Sequence, residues 1–239
     1  MKVHQQPAYL LHARPFSESS LLADLFTREH GRLSVLAKGA RRGKSRSRGA
    51  LLPFQPLLAS WAGKGQLPVL TSVEPRGRQP GALMKGEALA SGFYLNELLM
   101  RLLHRHDAHE ALFEHYHDAL ARLSEAHPPR RILRIFEKHF LHHIGFGAVF
   151  DKDADTGRAI DPRRQYHYIP EKGPVSDRPP GEYALPVSGR TLHAMRDERF
   201  PSERELREAK RLTRALIDRQ LGGRPLRSRR VLMEMSRYR

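Results

Sequence analysis

The chain has 239 residues, with 42 Lys and Arg against 26 Asp and Glu, a net charge of +16 and no cysteine. The lack of thiols excludes disulfides, thiolate zinc sites and cysteine nucleophiles. A field this positive favours nucleic acid, an anionic membrane surface or an acidic protein as partner, and is silent about fold.

The charge is uneven. Residues 1–80 hold 13 Lys and Arg against 4 Asp and Glu, so basic density is highest toward the N-terminus. No run of about 18 apolar residues is present to span a bilayer, and MKVHQQPAYLLHARP lacks the apolar centre of a signal peptide. The expectation is a soluble, cytoplasmic protein with no membrane partner.

Residues 8–75 read as β. Tyr9, Leu11 and Ala13 alternate with His12 and Arg14. Leu33, Val35 and Ala37 alternate with Arg32, Ser34 and Lys38, and Leu67, Val69, Thr71 and Val73 do the same apart from Leu70. Leu21 to Phe26 and Leu57 to Trp61 are apolar on both faces, as central strands of a closed barrel can be. Turn signals lie at Ser17-Glu18-Ser19, His30-Gly31 and Gly63-Lys64-Gly65. Five strands in about 70 residues, with a long loop between the third and fourth, predict a small barrel of OB or SH3-like type, which periodicity does not separate.

That long loop, Lys38 to Arg48, reads KGARRGKSRSR. Lys38, Arg41, Arg42, Lys44, Arg46 and Arg48 are basic, none is acidic, and no apolar residue exceeds Ala40. It is expected to be an exposed, mobile loop without helix, presenting Arg forks and Lys point charges to a polyanion.

Residues 74–81 are a linker by composition, and beyond them the period becomes helical. Leu95, Leu98, Leu99 and Leu102 mark a helix over Leu83–Leu103. Leu112, Phe113, Tyr116, Ala119, Leu120 and Leu123 mark a second. Ile132, Ile135, Phe136, Phe140 and Ile144 mark a third, opened by Pro128-Pro129 and closed by Gly145 and Gly147. Residues 148–186 look irregular, with a short hairpin over 166–173. Ser188 opens a short helix, and Ser202 to Glu205 is a capping box opening a longer one that stops at Gly222-Gly223, before a basic tail.

Motifs for catalysis fail on spacing. Gly39 to Ser45 has three residues between its glycines where a P-loop needs four, and runs into Ser-Arg repeats instead of a helix. Asp151, Asp153 and Asp155 open like a calcium loop, but Thr156 and Pro162 occupy the positions that need Gly and Glu. His139 and His143 have zinc-binding spacing without the adjacent glutamate, since residue 140 is Phe. No enzyme, no cofactor and no metal is expected. Beyond the loop, basic residues gather at Arg207, Lys210, Arg211 and Arg214 on one helix face, and at Arg224, Arg227, Arg229 and Arg230. On an OB barrel such charges would follow phosphates while exposed aromatics stack bases. Phe16, Phe26, Phe54 and Trp61 are the aromatics in question, with their exposure open.

The words SESSLLADLFTREHGRLSVLAKGARR (17–42), GALLPFQPLL (49–58), GFYLNELL (92–99) and LGGRPLRSR (221–229) occur together and in order over nearly the whole chain. In these the chain resembles the RecO family of bacterial recombination mediators. The resemblance implies an α+β protein: an N-terminal five-stranded OB-fold β-barrel over 1–80, then an all-α helical domain over 81–239, with an irregular, cysteine-free insertion at about 147–186. It implies a DNA-binding recombination mediator in DNA repair of the RecF type, close to the nucleoid. Such a protein binds single- and double-stranded DNA, anneals complementary strands, and with RecR helps load RecA onto strands coated by single-stranded DNA-binding protein.

The candidate DNA contacts are then Arg14, Arg32, Lys38, Arg41, Arg42, Lys44, Arg46 and Arg48. The acidic, aromatic-ended C-terminal tail of single-stranded DNA-binding protein would need an apolar pocket rimmed by cations. Arg130, Arg131, Arg134, Ile135 and Phe136 offer one such place, and Arg207, Lys210, Arg211 and Arg214 another. Many family members carry a four-cysteine zinc knuckle after the third of these helices. Here 147–180 has no cysteine, as in the proteobacterial branch, so the segment must fold without zinc. The alternative is a non-catalytic basic adaptor that binds structured RNA or an acidic protein.

Overall fold

A computed structural model describes residues 2–237 apart from 43, 44, 64, 66, 78, 79, 126, 147, 148 and 179. The elements run β1 (Lys2–Pro15), β2 (Leu21–Thr27), β3 (Gly31–Ala37), α1 (Arg46–Ala50), β4 (Pro56–Ala62), β5 (Val69–Pro75), α2 (Gly86–Leu102), α3 (Glu110–Ser124), α4 (Pro129–His143), β6 (Gln165–Ile169), β7 (Gly173–Val175), β8 (Leu185–Ser188), α5 (Gly189–Asp197), α6 (Glu203–Gln220) and α7 (Arg227–Arg237). They form two compact units, one of Met1–His127 with Leu226–Arg239, the other of Pro128–Pro225.

The first unit is built on a closed barrel of order β1-β2-β3-β5-β4. Neighbours are antiparallel except β3 and β5, which meet in parallel at Leu36 and Val69. With a helical turn between β3 and β4, this is the OB arrangement and not the SH3-like one. Ala8, Leu10, Ala23, Leu25, Leu33, Val35, Leu57, Ala59, Trp61, Leu70 and Val73 fill the interior.

Two bulges explain where simple alternation fails. Between Leu10 and His12 the register of β1 shifts, so Ala8 and Leu10 point inward while Tyr9 and Leu11 are buried on the outside. Between Ser60 and Trp61 the β4–β5 register shifts at Thr71, so Val73 points inward as expected but Leu70 joins it in place of the expected Val69 and Thr71. β1 and β2 are apolar on both faces because α3 covers their outer side. The Tyr9 ring lies 5.1 Å from Tyr116 and 5.5 Å from Phe113, and Phe26 lies 5.5 Å from Phe113.

The first bulge also leaves the Leu11 carbonyl outside the ladder. Buried Asn96 of α2 donates to it at 3.0 Å and accepts from the Tyr116 hydroxyl at 2.5 Å. A polar side chain sits in this apolar helix because a buried carbonyl needs a partner.

The basic tail is helical over α7. Buried Leu226 anchors its start, and Glu97 of α2 caps α7 from 130 positions away in sequence. Its carboxylate accepts from Arg227 N at 3.0 Å, Ser228 N at 2.9 Å and Ser228 Oγ at 2.6 Å. Burial raises the Glu97 pKa, but these bonds outweigh it and hold the acid below its ordinary value. No sequence-local signal reveals a cap supplied by another helix.

In the second unit α4 packs on α6, and each helix buries an apolar stripe, Ile132, Leu133, Phe136 and Phe140 on α4 and Leu206, Ala209, Leu212 and Leu216 on α6. The segment expected to hold one hairpin carries a three-stranded sheet of order β7-β6-β8. It folds without thiolates. Buried Phe150, Ile160, Tyr166, Tyr168 and Val175 give it a core. Asp153 ties its first turn, accepting from Asp155 N, Thr156 N and the Ser176 hydroxyl. The aspartate that mimicked a calcium loop is thus a turn-former. Ser202 caps α6 by accepting from Arg204 N and donating to Glu205.

Glu208 pins α6 to the start of α5, accepting from Ser188 N at 3.1 Å, Ser188 Oγ at 2.7 Å and Thr191 Oγ1 at 2.8 Å. Burial raises its pKa, yet these donors outweigh burial and bring it down to about 2 from 4.5. A carboxylate held below its unfolded value stabilises the fold fully above the ordinary carboxylate range and loses that contribution as pH falls toward about 2. Glu208→Gln should therefore cost about 1–3 kcal/mol near neutral pH. The gap in melting temperature from the parent should narrow steadily on acidification, and a gap independent of pH would show that the charge is not what the site uses.

Candidate nucleic-acid interface

Three loops meet at one rim of the barrel. Ala37, the last residue of β3, pairs with Leu21 of β2, and Leu21 pairs with Pro15 of β1. The β1–β2 turn over 16–20 therefore lies beside the start of the basic loop. Arg41 locks them together: its backbone N donates to Ser19 O at 3.0 Å and its guanidinium to Ser17 O at 2.6 Å. The β4–β5 loop arrives from the other side, where Leu36 N donates to Pro68 O at 2.9 Å. OB folds bind oligonucleotides through the β1–β2 and β4–β5 loops; here the basic loop stands between the two.

The described residues of the loop are tied into the barrel more than expected. Ala40 is fully buried in the barrel core, and Gly39 O and Arg42 O accept turn bonds from Arg42 N and Ser45 N. Arg46 to Ala50 form the short helix α1, contrary to the expected absence of helix. The cause lies just past Arg48. Ala50 and Leu51 are buried in the barrel core and draw the chain into a turn closed by Leu51 N on Ser47 O.

Lys38, Arg41 and Arg42 are exposed, and so is Arg14, whose strand partner Leu22 also pairs with Leu36. Among the described residues, no carboxylate stands at ion-pair distance from any of these four. Lys44 and the side chains of Arg46 and Arg48 lie outside the described residues. Arg32 does not join them. It sits at the opposite end of β3, about 20 Å along the strand from Lys38 at the usual rise per residue. Its Nε and Nη2 both donate to Leu103 O, at 3.2 and 3.1 Å. Burial first, then Arg105 nearby, lowers its pKa. Its role in the structure is to hold the chain leaving α2.

Of the aromatics left open by the sequence, Phe26, Phe54 and Trp61 are buried, and Phe16, in the turn tied to Arg41, is exposed.

The second unit brings the other two basic groups together on one face. Partial burial, then Arg134, Arg130 and Arg214 around it, lower the pKa of Lys210. Helix α4 and helix α6 thus contribute to a single cationic patch, not to rival ones. Arg130, Lys210 and Arg214 are its exposed members, and Arg131, Arg207 and Arg211 are also exposed on these two helices. Arg211 donates to Pro186 O, Arg130 faces Glu203 at 3.5 Å and Arg214 faces Asp218 at 3.7 Å. Arg134 and Phe136 lie beneath, in the core, which leaves half-buried Ile135 as the apolar residue nearest the surface. His139, considered as a metal ligand, faces Glu198 at 2.8 Å.

Comparison with known proteins gives the same order of parts. A family model described as Recombination protein O N terminal matches residues 1–78, and one described as Recombination protein O C terminal matches 84–230. The DNA repair protein RecO of Aromatoleum aromaticum is 47% identical, over 98% of this chain and 97% of its own length. That of Azoarcus sp. is 45% identical over 98% and 97%, and that of Methylococcus capsulatus 46% over 96% and 93%. With the OB barrel in place and both family models matched along its length, the chain belongs to the RecO family.

Proposed function

We propose that this chain is a DNA-binding recombination mediator in DNA repair, which anneals complementary single strands. With RecR it would help load RecA onto strands coated by single-stranded DNA-binding protein. The observation that carries the DNA-binding part is the rim where three OB loops meet and present Arg14, Lys38, Arg41 and Arg42, with no acidic partner among the described residues. Cations there neutralise phosphates and release counterions. Neutralising two strands together removes the repulsion that keeps complementary bases apart, which is a sufficient account of annealing without bond-breaking chemistry.

The single cationic patch of α4 and α6 is the proposed receptor for the partner's acidic, aromatic-ended tail. Exposed Arg130, Lys210 and Arg214 form it, and half-buried Ile135 is an apolar residue of the same helix α4.

The test is a salt titration of binding to a labelled single strand by anisotropy. Lys38→Ala, Arg41→Ala and Arg42→Ala together should flatten the slope of log affinity against log salt by about 2, at roughly 0.7 per phosphate contact. The same triple variant should bind at least tenfold more weakly and anneal more slowly. An unchanged slope rejects this rim, and tighter binding to structured RNA than to DNA favours the adaptor reading.

A further inference from the structure

The barrel offers one aromatic ring to solvent at its cationic rim. Tyr9, Phe26, Phe54 and Trp61 are each 2% exposed or less, whereas Phe16 is 56% exposed. The turn that carries it is not loose. Phe16 N donates to Ser20 O at 3.0 Å, and the next carbonyl, Ser17 O, accepts the Arg41 guanidinium at 2.6 Å. The backbone that carries the ring is thus held one residue from a contact made by the basic loop, with Arg14 two positions before it on β1 and Lys38 just beyond the paired end of β3.

Cations and an exposed ring do different work on a nucleic acid. Lys38, Arg41 and Arg42 meet phosphates, which single and double strands both present. A ring stacks only on a base with a free face, and in a duplex interior every base already has neighbours on both faces. Stacking on an aromatic tolerates any sequence, since each base has a π-face.

We propose that Phe16 stacks on an unpaired base of a single strand whose phosphates lie on Lys38, Arg41 and Arg42, and that this contact gives the rim its selectivity for unpaired over paired strands. The proposal rests on the DNA-binding reading above. It also supplies a reason for product release: once two strands have annealed, no free base face remains for the ring, and the duplex is held by phosphate contacts alone.

The experiment compares Phe16→Ala, Phe16→Leu and Phe16→Trp with the parent, on oligo-dT and on a blunt duplex of equal length. Ala and Leu should each weaken single-strand binding about tenfold, leaving duplex affinity and the salt slope on either substrate unchanged. Leu keeps apolar bulk without a π-face, so a Leu variant that binds like the parent overturns stacking. Trp should retain affinity, and its indole emission should be quenched by oligo-dT but not by the duplex; Trp61, the only native tryptophan, is buried and supplies a constant background. Equal losses on both substrates, or no loss on either, also overturn the proposal. Thermal melts of each variant should match the parent, because the ring is exposed. If the triple charge variant weakens binding while Phe16→Ala does not, only the stacking inference falls. If the charge variant has no effect, the DNA-binding rim itself falls.

Discussion

Glu137→Ala should lower the stability of the second unit by about 3–5 kcal/mol, the range for breaking a buried ion pair from one side. Glu137 is 1% exposed and Arg134 6%. Arg134 Nη2 donates to one carboxylate oxygen at 2.6 Å, and the Thr213 hydroxyl of α6 donates to the other. Removing the carboxylate leaves a guanidinium inside the α4–α6 interface, close to the cations Lys210 and Arg130. Such a charge has no inexpensive state, since the Arg pKa is too high for it to become neutral. Glu137→Gln keeps the volume and a partner for Thr213, so it should cost less than Ala. Replacing the pair together, with Arg134→Met and Glu137→Leu, should recover most of the loss, because well-packed apolar side chains of like volume dispense with desolvating two charges. Urea melts followed by a probe in 128–225 would measure this. A loss under about 1 kcal/mol for the alanine variant would mean that the pair is not buried as described.

Gly31→Ala should destabilise the first unit by about 2–5 kcal/mol. Gly31 has φ of +62°, and a Cβ added there would lie 1.9 Å from the backbone carbonyl oxygen of Asp107. A left-handed conformation costs a side-chain-bearing residue roughly 1–2 kcal/mol, and forcing atoms into a filled space typically costs another 1–3 kcal/mol. The clash cannot be relieved by a rotamer, because the segment after α2 is itself fixed: His106 N donates to Arg32 O at 2.9 Å, and the Arg32 guanidinium holds Leu103 O. Gly39 is the control. Its φ is +70°, but the nearest atom to an added Cβ is Arg42 Cδ at 3.9 Å. Gly39→Ala should therefore cost only the conformational part, about 1–2 kcal/mol. Equal shifts in melting temperature for the two variants would show that close approach to Asp107 does not matter.

The barrel, its strand count and the helical stripes were legible because each rests on local periodicity. Leu33, Val35 and Ala37 point inward as their alternation requires. Leu95, Leu98 and Leu99 face the core as their spacing requires. What alternation could not carry was any residue whose place is set at a distance. The bulges at Leu11 and Thr71 reverse which side chains face inward. Arg32 resembles its neighbours in composition, but it is spent on Leu103 O, 71 positions away. The helical tail depends on Glu97, and the turn of α1 on burial of Ala50 and Leu51 beyond the charged window. At the rim the charges were visible and the geometry was not. Only the pairing of β1, β2 and β3 brings Arg14, Phe16, Lys38 and Arg41 to one end, and only the fold merges two basic helices into one patch.

Helix α7 belongs with the strands made some two hundred residues earlier, so the second unit is topologically an insertion between His127 and Leu226. During synthesis from the N-terminus, all of Pro128–Pro225 leaves the ribosome before the last piece of the older unit does. Glu97 must wait for Arg227 and Ser228 until then. The later-made unit is thereby the first whose chain is complete, and the barrel's own unit closes last.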